Sequence, residues 1–184
     1  MTTPWTPNGE WQGATVAIFG SAQNLTPDVC EALRSNFCVA VNFACRAAPW
    51  ADMLVALDGN WPQELREFKG ERMTGVADPD LDATYVGPMY ERVRLSPSHE
   101  IEIRNSGLAA IRIAARMGAS RIILAGFEPE RPWHFYDDEV DTGEYVGLSA
   151  GIAQITAEMA ARGIVVERYE PAEVDAPVKR KGGK

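Results

Sequence analysis

The sequence predicts an α/β fold, a single domain in which a mostly parallel sheet is flanked by helices. Three observations point to it. Short apolar runs alternate along the chain with stretches of helical periodicity, the pattern of repeated β-α-β units. The run Thr15-Val16-Ala17-Ile18-Phe19 ends in Gly20-Ser21-Ala22, and a capped helix starts a few residues later. That is how a buried parallel strand hands its chain to a helix beside a ligand crevice. Finally, 184 residues that are 46% hydrophobic and 24% charged suffice for one sizeable core and do not have the composition of a disordered chain.

The elements follow in order. Residues 15–19 form the first strand. Residues 26–35 read as a helix, with Thr26 as N-cap, Pro27 at the first helical position and Asp28 in the first turn, each the residue type that position favours. The second strand, 37–41, ends in Asn42, and the third, 53–57, ends in Asp58. A short helix over 61–68 starts near Pro62, and 72–77 forms a fourth strand. Pro79, Gly87, Pro88 and Pro97 make 78–98 loop or edge structure. Within it, Val93 and Leu95 alternate with Arg92 and Arg94, which suits a strand over 92–95. Residues 106–117 give the clearest helix, with Leu108, Ile111 and Ala115 at helical spacing and a stop at Gly118. A buried strand over 121–125 closes on Gly126. The polar and aromatic stretch 127–146 then separates it from a last helix carrying Leu148, Ile152, Ile155 and Met159, which Gly163 ends. Connections that long inside a compact domain are usually functional or mobile. A final strand covers 164–167.

Charge and cysteine usage exclude several classes. A net charge of −8 speaks against general nucleic-acid binding, which needs clustered Lys and Arg. The one basic run, Lys179-Arg180-Lys181-Gly182-Gly183-Lys184, closes a tail over 171–184 that is either a solvated disordered end or a tether to an acidic partner. No apolar run approaches the roughly 18 residues that span a bilayer, so no membrane partner is expected. Residues 1–11 lack a basic and then apolar leader pattern, and the expected location is cytoplasmic. The three cysteines, Cys30, Cys38 and Cys45, are odd in number and contain no Cys-x-x-Cys. They read as small buried apolar groups, with no metal site expected.

Four places could carry chemistry. The Gly20 loop can bring backbone amides near an anion, although it is neither Gly-x-Gly-x-x-Gly nor a Walker loop and an ordinary strand-to-helix turn would look alike. Asn42 and Asp58 end successive strands, where α/β folds bind ligands, although both residue types also cap helices and form turns. Asn105-Ser106-Gly107 opens the clearest helix, with Ser106 placed to cap it and Gly107 to admit a ligand to its amino end. His134, one of two histidines, lies among Trp133, Phe135, Tyr136, Asp137 and Asp138, either as a general acid or base or as part of a structural lid.

These pieces together resemble a known group. Gly20-Ser21-Ala22-Gln23-Asn24-Leu25, then Ala40-Val41-Asn42, Ala56-Leu57-Asp58, Ser106-Gly107 and the run from Ala114 to Glu128 are similar to Rossmann-like proteins of bacteriophage genomes. Those are related to bacterial sialyltransferases and to hydroxymethylpterin diphosphokinase-like motility accessory proteins. The resemblance spans about residues 15–134. It implies a Rossmann-like nucleotide-binding domain over 13–170, between an N-terminal arm over 1–12 and the basic tail. It also implies nucleotide contacts at Gly20, Ser21, Asn24, Asn42, Ser106 and Gly107, with His134 as the base acting on an acceptor hydroxyl. The family loop usually reads Gly-x-Gly-Pro-Ser-Leu, so this chain lacks its second glycine and its proline, and Glu128 stands where relatives often have Asp.

Two classes of function follow. The first is a nucleotide-binding transferase, foremost a glycosyltransferase with a nucleotide or nucleotide-sugar as its small-molecule ligand, in the host cytoplasm if phage-encoded. Its variant is diphosphate transfer from ATP with Mg, in which Asp58 and Asp137 would be the ligands of the metal. The second is a non-catalytic binding or assembly module of a phage particle, partnered by virion proteins or by further copies of itself. The five tryptophans suit either a partner surface or plain core.

Overall fold

A computed structural model describes residues 5–87, 89–128 and 147–170. Its centre is a seven-stranded, wholly parallel sheet built from β1 (Thr15–Phe19), β2 (Phe37–Val41), β3 (Met53–Val55), β4 (Glu71–Thr74), β5 (Thr84–Tyr85), β8 (Arg121–Ala125) and β9 (Val165–Arg168), in the order β5-β4-β3-β2-β1-β8-β9. A separate antiparallel hairpin, β6 (Tyr90–Ser96) with β7 (His99–Arg104), stands between β5 and β8 in the chain. The α/β class read from the sequence is the class observed. No helix among the described residues is long and apolar enough to cross a membrane.

Near-continuous apolar runs in β1, β2 and β3 follow from burial on both faces of a parallel sheet. Val16, Ile18, Val39, Val41, Met53 and Val55 face α3 (Ser106–Arg116) and α4 (Leu148–Ala161). Ala17, Phe19, Cys38, Ala40 and Leu54 face α1 (Pro27–Ala32), the 3₁₀ turn Asn42–Arg46 and α2 (Gln63–Arg66). All three cysteines lie buried in this second layer. Burial pushes the Cys30 and Cys38 thiols up to about 11 and about 12, and Cys45 in the same direction. Trp11 and Trp61 are core residues, each 4% exposed.

Several boundaries differ from the sequence expectation, each for a local reason. The first helix stops at Ala32 rather than residue 35, because its end tightens into Leu33 N to Cys30 O and Arg34 N to Glu31 O bonds. The Leu33 carbonyl is then taken by the Asn36 amide side chain at 2.8 Å. β3 leaves the ladder after Val55 because the amide and carbonyl of Leu57 bond to side chains from α3 and β7 instead. The 61–68 helix shrinks to Gln63–Arg66, with the Arg66 guanidinium folded back onto the Trp61 carbonyl at 2.8 Å. The fourth strand runs Glu71–Thr74 rather than 72–77, ending where the Thr74 hydroxyl accepts the Val76 amide. The last strand is shifted by one residue, to Val165–Arg168.

The largest difference is 78–98. Expected as loop or edge structure with one short strand over 92–95, it holds β5, an edge strand of the large sheet, and all of β6, whose turn at Pro97-Ser98 leads into β7. Val93 of the hairpin is buried against the α4 side, and the opposite face carries the cross-strand pairs Arg92–Glu102 and Arg94–Glu100. The Gln154 side chain of α4 accepts from the Arg94 amide at 3.2 Å and donates to the Arg92 carbonyl at 2.7 Å. It thus stands in for a neighbouring strand along part of the β6 edge, which would otherwise be open to pairing.

Candidate functional site

The strand order reverses between β1 and β8. The chain steps outward from β1 to β5, then returns through the hairpin and α3 to β8 on the other side of β1. In open α/β sheets the crevice outside the carboxyl ends of the strands, at such a switch point, is where ligands bind. Gly20, Asn42, Asp58 and Gly126 stand at the carboxyl ends of β1, β2, β3 and β8.

At the switch point the two loops close on one another. The Gly20 amide donates to the Ala125 carbonyl at 2.7 Å and the Ala22 amide to the Gly126 carbonyl at 3.0 Å. A Cβ on Gly20 would lie 2.3 Å from the Gly126 carbonyl oxygen and 2.9 Å from the Phe127 ring. A Cβ on Gly107 would meet the same ring at 2.7 Å. Half-buried Phe127 therefore lies against both glycines for which the resemblance implied nucleotide contacts. The ring bridges the β1 loop and the start of α3.

The next strand end is polar. The buried Ser21 hydroxyl points to the Val41 carbonyl at 3.4 Å, a long contact that ties the ends of β1 and β2. Asn42 follows with φ of +50°, alone among the described non-glycine residues in the left-handed region. Asparagine tolerates that conformation better than most side chains, and such residues concentrate at functional sites. Asn24 is exposed on the turn that precedes the Thr26 cap.

Arg104 and Ser106 then stitch the hairpin and α3 to the end of β3, while Asn105 between them caps α3. Ser106, 6% exposed, accepts the Leu57 amide on its hydroxyl at 3.1 Å. Ser106 is thus not the helix cap, as expected from sequence. Asn105 is, because its Oδ1 accepts the Gly107 and Leu108 amides at 2.9 and 3.1 Å. That cap occupies the amides an anion would use first. Arg104 reaches back over the sheet, donates through Nη2 to the Leu57 carbonyl and places Nη1 3.9 Å from an Asp58 carboxylate oxygen. Arg104 was missed in the sequence, and Asn105 was named there only as the residue before the expected cap. The signal was present in Glu100 to Arg104, where Ile101 and Ile103 alternate with charged residues as a half-buried strand requires.

The structure thus brings Asp58, Arg104 and Ser106 together, joins Gly20 to Gly107 through Phe127, and links Ser21 to the end of β2. His134 and Asp137 lie outside the described residues.

Together these features define an open, doubly wound α/β domain with a polar rim at its strand ends. No protein-family model matches the chain, and no curated protein matches it. Among solved structures it is similar to a probable thiamine pyrophosphokinase from Staphylococcus saprophyticus subsp. saprophyticus, with a TM-score of 0.50 and 11% identity over 85% of this chain. The match covers 65% of that enzyme's chain. At this identity the likeness is one of fold.

Proposed function

We propose that the chain is a nucleotide-dependent transferase whose ligand binds at the carboxyl ends of β1 to β3. The observation that carries this reading is the gathering of Asp58, Arg104 and Ser106 about the end of β3, with Asn42 at the end of the neighbouring β2, so that three separate segments place polar side chains along the carboxyl edge of the sheet. Polar side chains from separate elements meeting at such a crevice are what a small-molecule site requires.

Among donors, a nucleotide-sugar fits the resemblance to the phage and sialyltransferase-related group. In that reaction the bond from the sugar's anomeric carbon to the phosphate oxygen breaks, and negative charge collects on the departing nucleotide. A cation fixed at the strand ends stabilises that charge. The acceptor hydroxyl gives up its proton to a base, the role proposed for His134.

A second reading, diphosphate transfer from ATP, is favoured by the fold shared with a probable thiamine pyrophosphokinase. Asp58 would be one metal-facing carboxylate. Among the described residues no group of three His, Cys, Asp or Glu side chains gathers.

A thermal-shift screen against CMP, UDP, GDP, ATP and their sugar conjugates, with and without Mg, tests the proposal. Ligand in hundredfold excess over Kd stabilises by about 2.7 kcal/mol, which for a domain of this size raises Tm by several degrees. A clear rise with one nucleotide class is expected. No rise at millimolar ligand overturns the proposal in favour of a binding or assembly module, the reading that the Phe127 ring over Gly20 and Gly107 favours.

A further inference from the structure

The electrostatics of the rim single out Arg104. Other arginines with little exposure are matched by close carboxylates. Arg112 holds Glu91 through two bonds of 2.7 and 2.8 Å, and Arg72 meets Asp82 at 2.5 Å. Arg104 is different. Its side chain is only 28% exposed, yet its carboxylate neighbour stands 3.9 Å away and is itself 78% exposed. That separation is beyond hydrogen-bond reach. Among the described residues its side chain donates one hydrogen bond, to a neutral backbone carbonyl, that of Leu57. A guanidinium has five N–H donors in a planar fork, and partly burying its head without an anion within bonding distance among the described residues is unfavourable.

The surroundings hold this cation in place. A Cβ at Gly75, at the end of β4, would lie 3.0 Å from both Arg104 Nη2 and the Leu57 carbonyl oxygen. The absent side chain is what lets the guanidinium lie across the ends of β3 and β4. Ser106 meanwhile fixes the Leu57 amide, so the carbonyl that orients Arg104 is itself fixed. On the other side of the crevice, the Phe127 ring lies against the loop where a glycine-rich fold would take a phosphate. An anion entering the crevice therefore meets its cation at β3 and β4 rather than at the Gly20 loop.

We infer that Arg104 is the anchoring cation for the diphosphate group of a nucleotide, gripping its oxygens with the N–H donors not engaged by Leu57. This rests on the nucleotide-binding reading above. Arginine suits the task because its fork matches phosphate oxygens two at a time. The exposed Asp58 carboxylate, not held by burial, rotates away as the diphosphate enters.

The test uses the full chain with inorganic pyrophosphate, ADP and UDP as probes. In the wild-type protein, modification by phenylglyoxal is mapped by peptide mass spectrometry with and without each probe. Affinities are then measured for Arg104→Met and Arg104→Lys. Protection at Arg104, a loss of at least tenfold in affinity in R104M and partial recovery in R104K are expected. If ADP or UDP binds while Arg104 stays equally reactive and R104M binds as well as wild type, the inference fails and the nucleotide reading survives. Pyrophosphate binding that protects Arg104, with no nucleotide bound, leaves the anion site standing and removes the nucleotide reading. Binding of no probe at all overturns both. Should R104M fail to fold, the protection experiment on the wild type decides alone.

Discussion

Replacing Gly20 with alanine lowers the stability of the ligand-free protein by about 3 kcal/mol, at the upper end for an overpacking substitution. The added Cβ would sit 2.3 Å from the Gly126 carbonyl oxygen, and that oxygen cannot retreat easily. It accepts the Ala22 amide at 3.0 Å, while the Gly20 amide is bonded to the neighbouring Ala125 carbonyl at 2.7 Å. Both loops extend β1 and β8, adjacent central strands whose residues from Val16 to Phe19 are fully buried. Movement there disturbs the whole sheet. Gly126 is under the reciprocal constraint, with φ of +73° and a would-be Cβ 2.6 Å from the Gly20 carbonyl oxygen. Urea unfolding without ligand reads the effect directly. A G20A protein within 1 kcal/mol of wild type would show that the loops can part, and that Gly20 is kept small for a ligand rather than for Gly126.

The second large effect is expected at Arg112 of α3, the hub that fastens the hairpin and α4 to the body. Its guanidinium takes both carboxylate oxygens of Glu91 on β6 and is also bonded to Glu158 on α4. Arg112 is 19% and Glu91 13% exposed. Removing the cation strands a largely buried carboxylate, which typically destabilises by about 3 kcal/mol. Arg112→Met should therefore cost about that much, measured by urea unfolding at pH 7. Hydrogen bonding to Arg112 holds the Glu158 carboxyl below its ordinary range. A carboxylate with a depressed folded pKa stabilises above its unfolded pKa, and that contribution is lost as pH falls through the folded value. Wild type should thus lose stability as pH falls below the ordinary glutamate range, and R112M should lose less over the same interval. Equal stability of the two proteins at neutral pH would refute the role of Arg112 as a fastener.

What could be read from the sequence was whatever local chemistry dictates. β1, β2 and β8 have the apolar runs of doubly buried strands, and the Thr26-Pro27 start of α1 is a local capping signal. The end of β3 was harder because it depends on partners far away in the chain. Leu57 leaves the ladder only because Ser106 and Arg104, which are 49 and 47 residues further on, take its amide and carbonyl. The hairpin was obscured by Pro88 and Pro97, which signal a loop although Pro97 only marks the turn between β6 and β7. In the candidate site, Asn42 and Asp58 were visible as polar residues closing apolar runs. Arg104 was not, since a charged residue at a strand end reads as solvated until the fold shows it drawn over Leu57 and Gly75. The Gly20 and Gly107 pattern was legible as a need for small residues. That a phenylalanine ring lies against both is a tertiary fact with no local signature.

In the proposed function a nucleotide binds at the carboxyl ends of β1 to β3, on the Arg104 side of Phe127. Amide chemical-shift mapping of the full chain during titration with ADP or UDP tests it most directly. The account predicts saturable shifts centred on Asn42, Asp58, Gly75 and residues 104–107, with smaller changes at Gly20 and Ser21. Shifts confined to other surfaces, or none at millimolar nucleotide, would contradict it.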